Sequence, residues 1–166
     1  MPDAEKLLAS LVEQVRAVMT PDTALVGIHT GGAWIAERLH QALGLAGPLG
    51  SIDVSFYRDD YGSRGLSQKV RPSEIAFEVA DREIVLVDDV LYTGRTIRAA
   101  INELFDYGRP GKIRLAALVD RGGRQLPICA DFVGATVSVA DDETVSLKRA
   151  EDGRFSLLVE PKQRSA

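Results

Sequence analysis

The chain has one cysteine, Cys129, so no internal disulfide framework holds it together, and a lone thiol fits a reducing compartment. It also lacks a signal-peptide core. Residues 1–20 mix Asp3, Glu5, Lys6, Glu13 and Arg16 among their apolar positions, and no stretch approaches a membrane span. These absences predict a cytoplasmic protein. There is no excess of positive charge either. The net charge of −4 argues against an indiscriminate nucleic-acid binder and leaves room only for a local basic patch. Two common phosphate cradles are missing: no G-x-G-x-x-G occurs, and Gly111-Lys112 is followed by Ile113, so there is no Walker A loop. Internal repeats, low-complexity tracts and a domain boundary are absent as well. A chain of 166 residues suits one domain, which at this size buries roughly 70% of its unfolded surface.

What is present alternates between strand and helix. Leu7, Leu8, Leu11, Val15 and Val18 recur at spacings of three and four, which predicts a helix over 4–19 with Asp3 as its N-cap. "ALVGIH" (24–29) reads as a buried strand and "AWIAERLHQAL" (33–43) as a helix closed by Gly44. "SIDVSFY" (51–57) reads as a strand. The polar stretch 58–73 reads as a mobile functional loop, and "EIAFEV" (74–79) as a strand pairing back across it. A strand at 83–87, a helix at 96–107 stopped by Gly108, and a strand at 112–119 follow. Short strands are expected around 132–139, 144–149 and 154–159, the last two joined at Asp152-Gly153, and the tail "EPKQRSA" is expected to fray. The pattern implies an α/β fold with a doubly wound, mainly parallel sheet, which binds ligands at the carboxyl ends of its strands. His29, at a strand end, and His40, on a helix surface, suggest no role.

The strongest chemical signal is "IVLVDDVLYTGRT" (84–96), an apolar strand running into Asp88 and Asp89 and then a helix start. Two adjacent carboxylates repel each other if desolvated, but they can accept hydrogen bonds from vicinal ribose hydroxyls. Thr93, Gly94, Arg95 and Thr96 enter the helix, where free backbone amides and the helix dipole favour a phosphate. Alone, "DD" or "TGRT" reads as an acidic turn or a helix cap; together they describe a grip on ribose 5-phosphate. Response regulators also place two aspartates at a strand end, but without a T-G-x-T helix start.

This segment resembles the phosphoribosyl-diphosphate (PRPP) motif of type I phosphoribosyltransferases. More narrowly, the chain resembles the PyrR family, which combines uracil phosphoribosyltransferase activity with attenuation of pyrimidine operons. The likeness continues through "VGIHTGG" (26–32), "DVSFYRDD" (53–60) and "LVDRGGRQLPICADFVG" (118–134), most of the chain. It implies the type I fold, one domain over 1–166 with a small antiparallel hood, and self-association as a dimer or higher assembly. The implied reaction is uracil plus PRPP to UMP and pyrophosphate in pyrimidine salvage, with Mg2+ carried in by the substrate.

The resemblance also implies roles. Asp88 and Asp89 hold the ribose and stabilise its oxocarbenium-like state. Val90, Leu91, Tyr92, Thr93, Gly94, Arg95 and Thr96 form the phosphate loop, and the amides near Thr30 and Gly31 meet pyrophosphate. Arg58 clamps pyrophosphate, Arg64 and Lys69 close a lid, and Arg121 and Val145 line the base pocket. Relatives commonly show Thr-Arg-Gly where this chain has Thr30-Gly31-Gly32, so one charge-assisted contact, typically ~1.5–3 kcal/mol, is expected to be missing or supplied elsewhere. No general base stands out; Asp89 is the candidate. The competing reading is an RNA-binding regulator with Arg121, Arg124, Lys112 and Arg114 as its basic surface. Against it, Cys129 stands where an RNA-binding relative would carry arginine, and the first helix is poor in basic residues. A phosphoribosyltransferase for another base, such as a purine, is the third possibility.

Overall fold

The computed structural model describes residues 1–55 and 73–164. Helix α1 (Ala4–Arg16) begins where the Asp3 carboxylate accepts the amides of Glu5 and Lys6 at 3.0 and 3.3 Å. It stops three residues short of the expected Met19, because the chain tightens into turns at Val18 and Met19 ahead of Pro21, whose predecessor disfavours helical backbone. Strand β1 (Ala24–Ile28) is buried throughout. Helix α2 (Gly31–Leu43) ends on Gly44 in the left-handed conformation, φ 59°. Then come β2 (Leu49–Ile52), β3 (Glu83–Leu91), α3 (Arg95–Asp106), β4 (Lys112–Asp120) and β5 (Phe132–Thr136).

Five strands form one parallel sheet in the order β2-β1-β3-β4-β5. One face packs on α1, α2 and the hood; the other packs on α3, with Ile97, Ala100 and Leu104 inward. The hood is the antiparallel pair β6 (Glu143–Arg149) and β7 (Phe155–Pro161), turning at Asp152-Gly153. It docks through Glu5, which accepts Arg38 Nη2 at 2.7 Å and the Phe155 amide at 2.8 Å. The hydrogen bond from Arg38 holds the Glu5 carboxyl below its ordinary range. Among the described residues, no helix is long and apolar enough to cross a membrane.

Three expectations are corrected here. The strand expected at 51–57 is β2 at Leu49–Ile52, and Asp53 and Val54 already lie outside it. Residues 74–79 form no strand: a single antiparallel bridge joins Ser51 and Glu74, and Ile75, Phe77 and Val79 cover the α3-side core without a ladder. Strand β3 runs to Leu91, four residues past its expected end. Pairing with β4 carries it on to Leu91↔Asp120, whereas pairing with β1 stops at Gly27↔Val87. The two aspartates therefore lie inside the strand, with only one edge paired. Arg58, Arg64 and Lys69, and nearly all of the loop that carries them, lie outside the described residues.

Candidate active site

In the order β2-β1-β3-β4-β5 the direction of winding reverses between β1 and β3, and such a switch point opens a crevice at the carboxyl ends of those strands. Strand β1 leads into α2 through His29 and Thr30, and β3 leads into α3 through Tyr92, Thr93 and Gly94. Two helix N-termini thus face one crevice. Neither N-cap residue makes a side-chain cap, although the Thr93 hydroxyl takes the Arg95 amide at the start of α3, and both helix dipoles favour an anion here. Gly94 is the N-cap of α3 at φ 95°, a backbone that L side chains rarely adopt, and a Cβ there would also press on Ile128 at 3.0 Å.

Asp88 and Asp89 are 4% and 8% exposed. Each accepts a neighbouring backbone amide: the Asp89 amide donates to Asp88 Oδ1 at 2.9 Å, and the Val90 amide to Asp89 Oδ1 at 2.8 Å. The other oxygen of Asp89 lies against Gly31, where a Cβ would sit 2.2 Å from it. The carboxylate thus occupies the space in which a side chain at 31 would begin. It rests against the start of α2, where the helix dipole favours a negative charge. An arginine at position 31 would have to displace Asp89, which is the local consequence of having glycine there.

The phosphate loop divides by side chain. Val90 packs into the α1-side core and Leu91 into the α3-side core, so both offer backbone only. Thr93 is buried; its hydroxyl accepts the Arg95 amide at 3.2 Å, and its carbonyl accepts the amides of Gln125 and Leu126. Arg95 is exposed and donates to Gln125 Oε1 at 3.0 Å, while Thr96 is half-buried in the first turn of α3.

On the β4 side, Arg121 is buried. Its amide donates to the Leu91 carbonyl, Nη1 donates to the Glu143 carbonyl at 2.8 Å, and the guanidinium lies 3.9 Å above the Tyr92 ring. The hood reaches this point through the backbone of Glu143. The Val145 side chain itself is buried in the α1-side core, two residues further on.

The reading of the sequence placed Arg124 on an RNA surface, but here it is a brace. It donates to the Tyr92 carbonyl at 2.6 Å, the Ile128 carbonyl at 2.8 Å and Asp120 Oδ2 at 2.6 Å. Burial raises the Asp120 carboxyl, but the hydrogen bonds from Arg124 and the Gly122 amide outweigh it and hold the group below its ordinary range. The spacing of four between Asp120 and Arg124 was the only local hint of this pair. Arg114 is ion-paired with Glu83 at 3.4 Å and Lys112 is exposed, both at the opposite end of β4. The four cations therefore divide between two ends of one strand and make no common face.

Residues 2–145 match the model of the phosphoribosyl transferase domain family. The bifunctional protein PyrR of Ralstonia nicotianae is 53% identical over 167 residues, covering 96% of this chain and 95% of that protein. The bifunctional protein PyrR of Pseudomonas paraeruginosa is 51% identical over 151 residues, covering 89% of each. Among solved structures, a purine phosphoribosyltransferase from Pyrococcus horikoshii superposes with TM-score 0.62 at 27% identity, covering 81% of this chain and 82% of that one. A hypoxanthine-guanine phosphoribosyltransferase from Bacillus anthracis shares the fold at TM-score 0.66 and 15% identity, covering 82% of each chain. Half the residues are shared over nearly the full length, and the crevice carries a phosphate loop between two uncapped helices: this chain belongs to the PyrR family of phosphoribosyltransferases.

Proposed function

We propose that the protein is a uracil phosphoribosyltransferase of pyrimidine salvage, converting uracil and PRPP to UMP and pyrophosphate in the cytoplasm. It would act as a single domain in a dimer or higher assembly. One observation carries the reading: two buried carboxylates stand at the switch point between two uncapped helix N-termini. Ribose needs hydroxyl acceptors, and each of its phosphate groups needs amide donors; the crevice offers both.

In this reading the start of α3 binds the 5-phosphate through its amides and the Thr96 hydroxyl. The amides at Thr30 and Gly31 bind the departing pyrophosphate. Asp88 and Asp89 hold the ribose hydroxyls and stabilise positive charge at the anomeric carbon as the bond to pyrophosphate breaks. Asp89 lies against Gly31, on the pyrophosphate side of the crevice, which favours ribose or metal over the N1 proton of uracil as its partner. Arg58 remains the candidate pyrophosphate clamp. Arg121 offers guanidinium N–H groups to base carbonyl oxygens. The donor set suits magnesium, since carboxylate oxygens are hard ligands. Among the described residues no group of three acidic, histidine or cysteine side chains converges, which leaves the remaining coordination to substrate oxygens and water. When bound, magnesium supplies neutralisation of charge on the leaving pyrophosphate.

With PRPP and magnesium, the purified protein is expected to convert uracil with a higher kcat/KM than hypoxanthine, guanine or orotate. A purine preferred over uracil would replace the assignment.

The word bifunctional in the relatives' names favours a second reading, an RNA-binding attenuator of pyrimidine genes. The separation of Lys112 and Arg114 from Arg121 and Arg124 speaks against it, as does the use of Arg124 within the fold. Titration of a pyrimidine-leader hairpin at physiological salt is expected to give a Kd no tighter than the non-specific range, about 10⁻⁴–10⁻⁶ M. A nanomolar, sequence-dependent complex would restore the regulator.

A further inference from the structure

The C-terminal segment was expected to fray, yet Lys162 is one of the most engaged residues around the crevice. Its amide donates to the Asp142 carbonyl at 2.7 Å, closing the end of the hood hairpin. Its ammonium donates to the Tyr92 hydroxyl at 3.0 Å and to the Asp141 carbonyl at 2.5 Å, and lies 4.9 Å from the Tyr92 ring centre. Tyr92 belongs to the phosphate loop, between the buried aspartates and the start of α3.

The other surroundings of Tyr92 belong to the loop after β4. Arg121 lies over the ring at 3.9 Å, and Arg124 donates to the Tyr92 carbonyl. At Gly123 a Cβ would come within 2.5 Å of the ring edge. Tyr92 is therefore one point at which three segments meet: the phosphate loop, the loop that carries Arg121, and the end of the hood. The contact between ring and guanidinium also bears on Arg121. With Nη1 given to Glu143, the Arg121 Nε is a buried nitrogen with no hydrogen-bond partner among the described residues. A buried donor left unpaired is unfavourable, and an acceptor oxygen on a ligand would satisfy it.

We propose that Lys162 is a positioning residue for phosphoribosyl transfer. By gripping the Tyr92 hydroxyl it fixes the phosphate loop against Arg121, so that the loop's amides meet PRPP and the Arg121 N–H meets the base in a single arrangement. Lys162 itself touches no reacting atom; it acts through Tyr92. The inference rests on the phosphoribosyltransferase reading of the crevice.

The test uses the full-length protein with Lys162→Met, which keeps the aliphatic stem, Tyr92→Phe, which keeps the ring, and the double variant. PRPP is titrated into each with magnesium and no base, and UMP formation is followed separately. Each single variant is expected to weaken PRPP binding about 5- to 10-fold, the size of one lost hydrogen bond. The double variant should be no weaker than the weaker single, and Lys162→Arg should recover most of the affinity. Melting temperatures should stay close to that of the parent, since the ring remains packed under Arg121. Unchanged PRPP affinity in Lys162→Met, additive losses in the double variant, or weakening that follows a fall in melting temperature each overturn the proposal. A parent protein that binds no PRPP refutes the site reading instead. A parent that binds PRPP but prefers another base leaves the binding test intact.

Discussion

Asp88→Asn and Asp89→Asn are each expected to lower kcat for UMP formation about 10²–10³-fold without lowering the melting temperature. The structure gives the stability half of this result a specific basis. Each aspartate accepts one neighbouring backbone amide through Oδ1, and an asparagine keeps an oxygen for that bond. The lost charge is one of two adjacent, buried carboxylates, so its removal relieves repulsion, which at Asp89 offsets the loss of the favourable α2 dipole. What asparagine does not keep is the negative charge facing the anomeric carbon. Thr96→Ala provides the contrast: it deletes one phosphate donor and is expected to raise the KM for PRPP with little change in kcat. Melting temperature and UMP formation measured on all three variants separate ligand chemistry from folding. Full activity in both aspartate variants would sink the ribose-binding role.

Arg124→Met is expected to act through the fold. The parent guanidinium serves two backbone carbonyls and a carboxylate, all within 2.8 Å, and neither Arg124 nor Asp120 is more than one-quarter exposed. Removing it leaves Asp120 partly buried without its counter-charge and frees the loop under Tyr92. The expected cost is about 2–3 kcal/mol, toward the lower end for a broken buried pair because some solvent reaches both groups. For a chain of this size that corresponds to a fall of roughly 4–12 °C in melting temperature. The pH dependence carries a sign. Asp120 is depressed in the folded protein, so its contribution is present above the unfolded value, about 3.9, and is lost as pH falls through the lower folded value. In Arg124→Met the burial that opposes ionisation is no longer outweighed by the guanidinium. The variant therefore lacks this acid-sensitive contribution: as pH falls the parent loses it and the variant does not, so the gap between them, full at pH 7, should narrow below about pH 4. Equal melting temperatures at pH 7 would show that the brace contributes nothing.

The sequence by itself determined the alternation of elements and the stretch that carries the chemistry. Continuous apolar runs such as "ALVGI" and "EIVLV" mark strands buried on both faces, and Asp3, Gly44 and Gly94 mark helix boundaries within a residue or two. These signals are local, since periodicity and capping depend on neighbours a few positions away. For the same reason they misplaced the C-terminal end of β3 and the segment 74–79. Strand β3 extends because β4 continues beside it, and Ile75, Phe77 and Val79 find a core surface where their alternation suggested a ladder.

Only the tertiary structure decided how the crevice is assembled. The carboxylate of Asp89 rests on Gly31 because β3 lies beside β1 and brings residues far apart in sequence to one switch point. Arg124 and Lys162 read as exposed cations in a polar loop and a tail; Asp120, four residues before Arg124, is a faint local hint, and nothing near Lys162 names Tyr92. Lys162 meets Tyr92 across 70 positions, a contact that exists only because the hood folds back over the phosphate loop. Close approach of distant segments is set by the path of the whole chain, and at this site that path chose which cations became part of the fold.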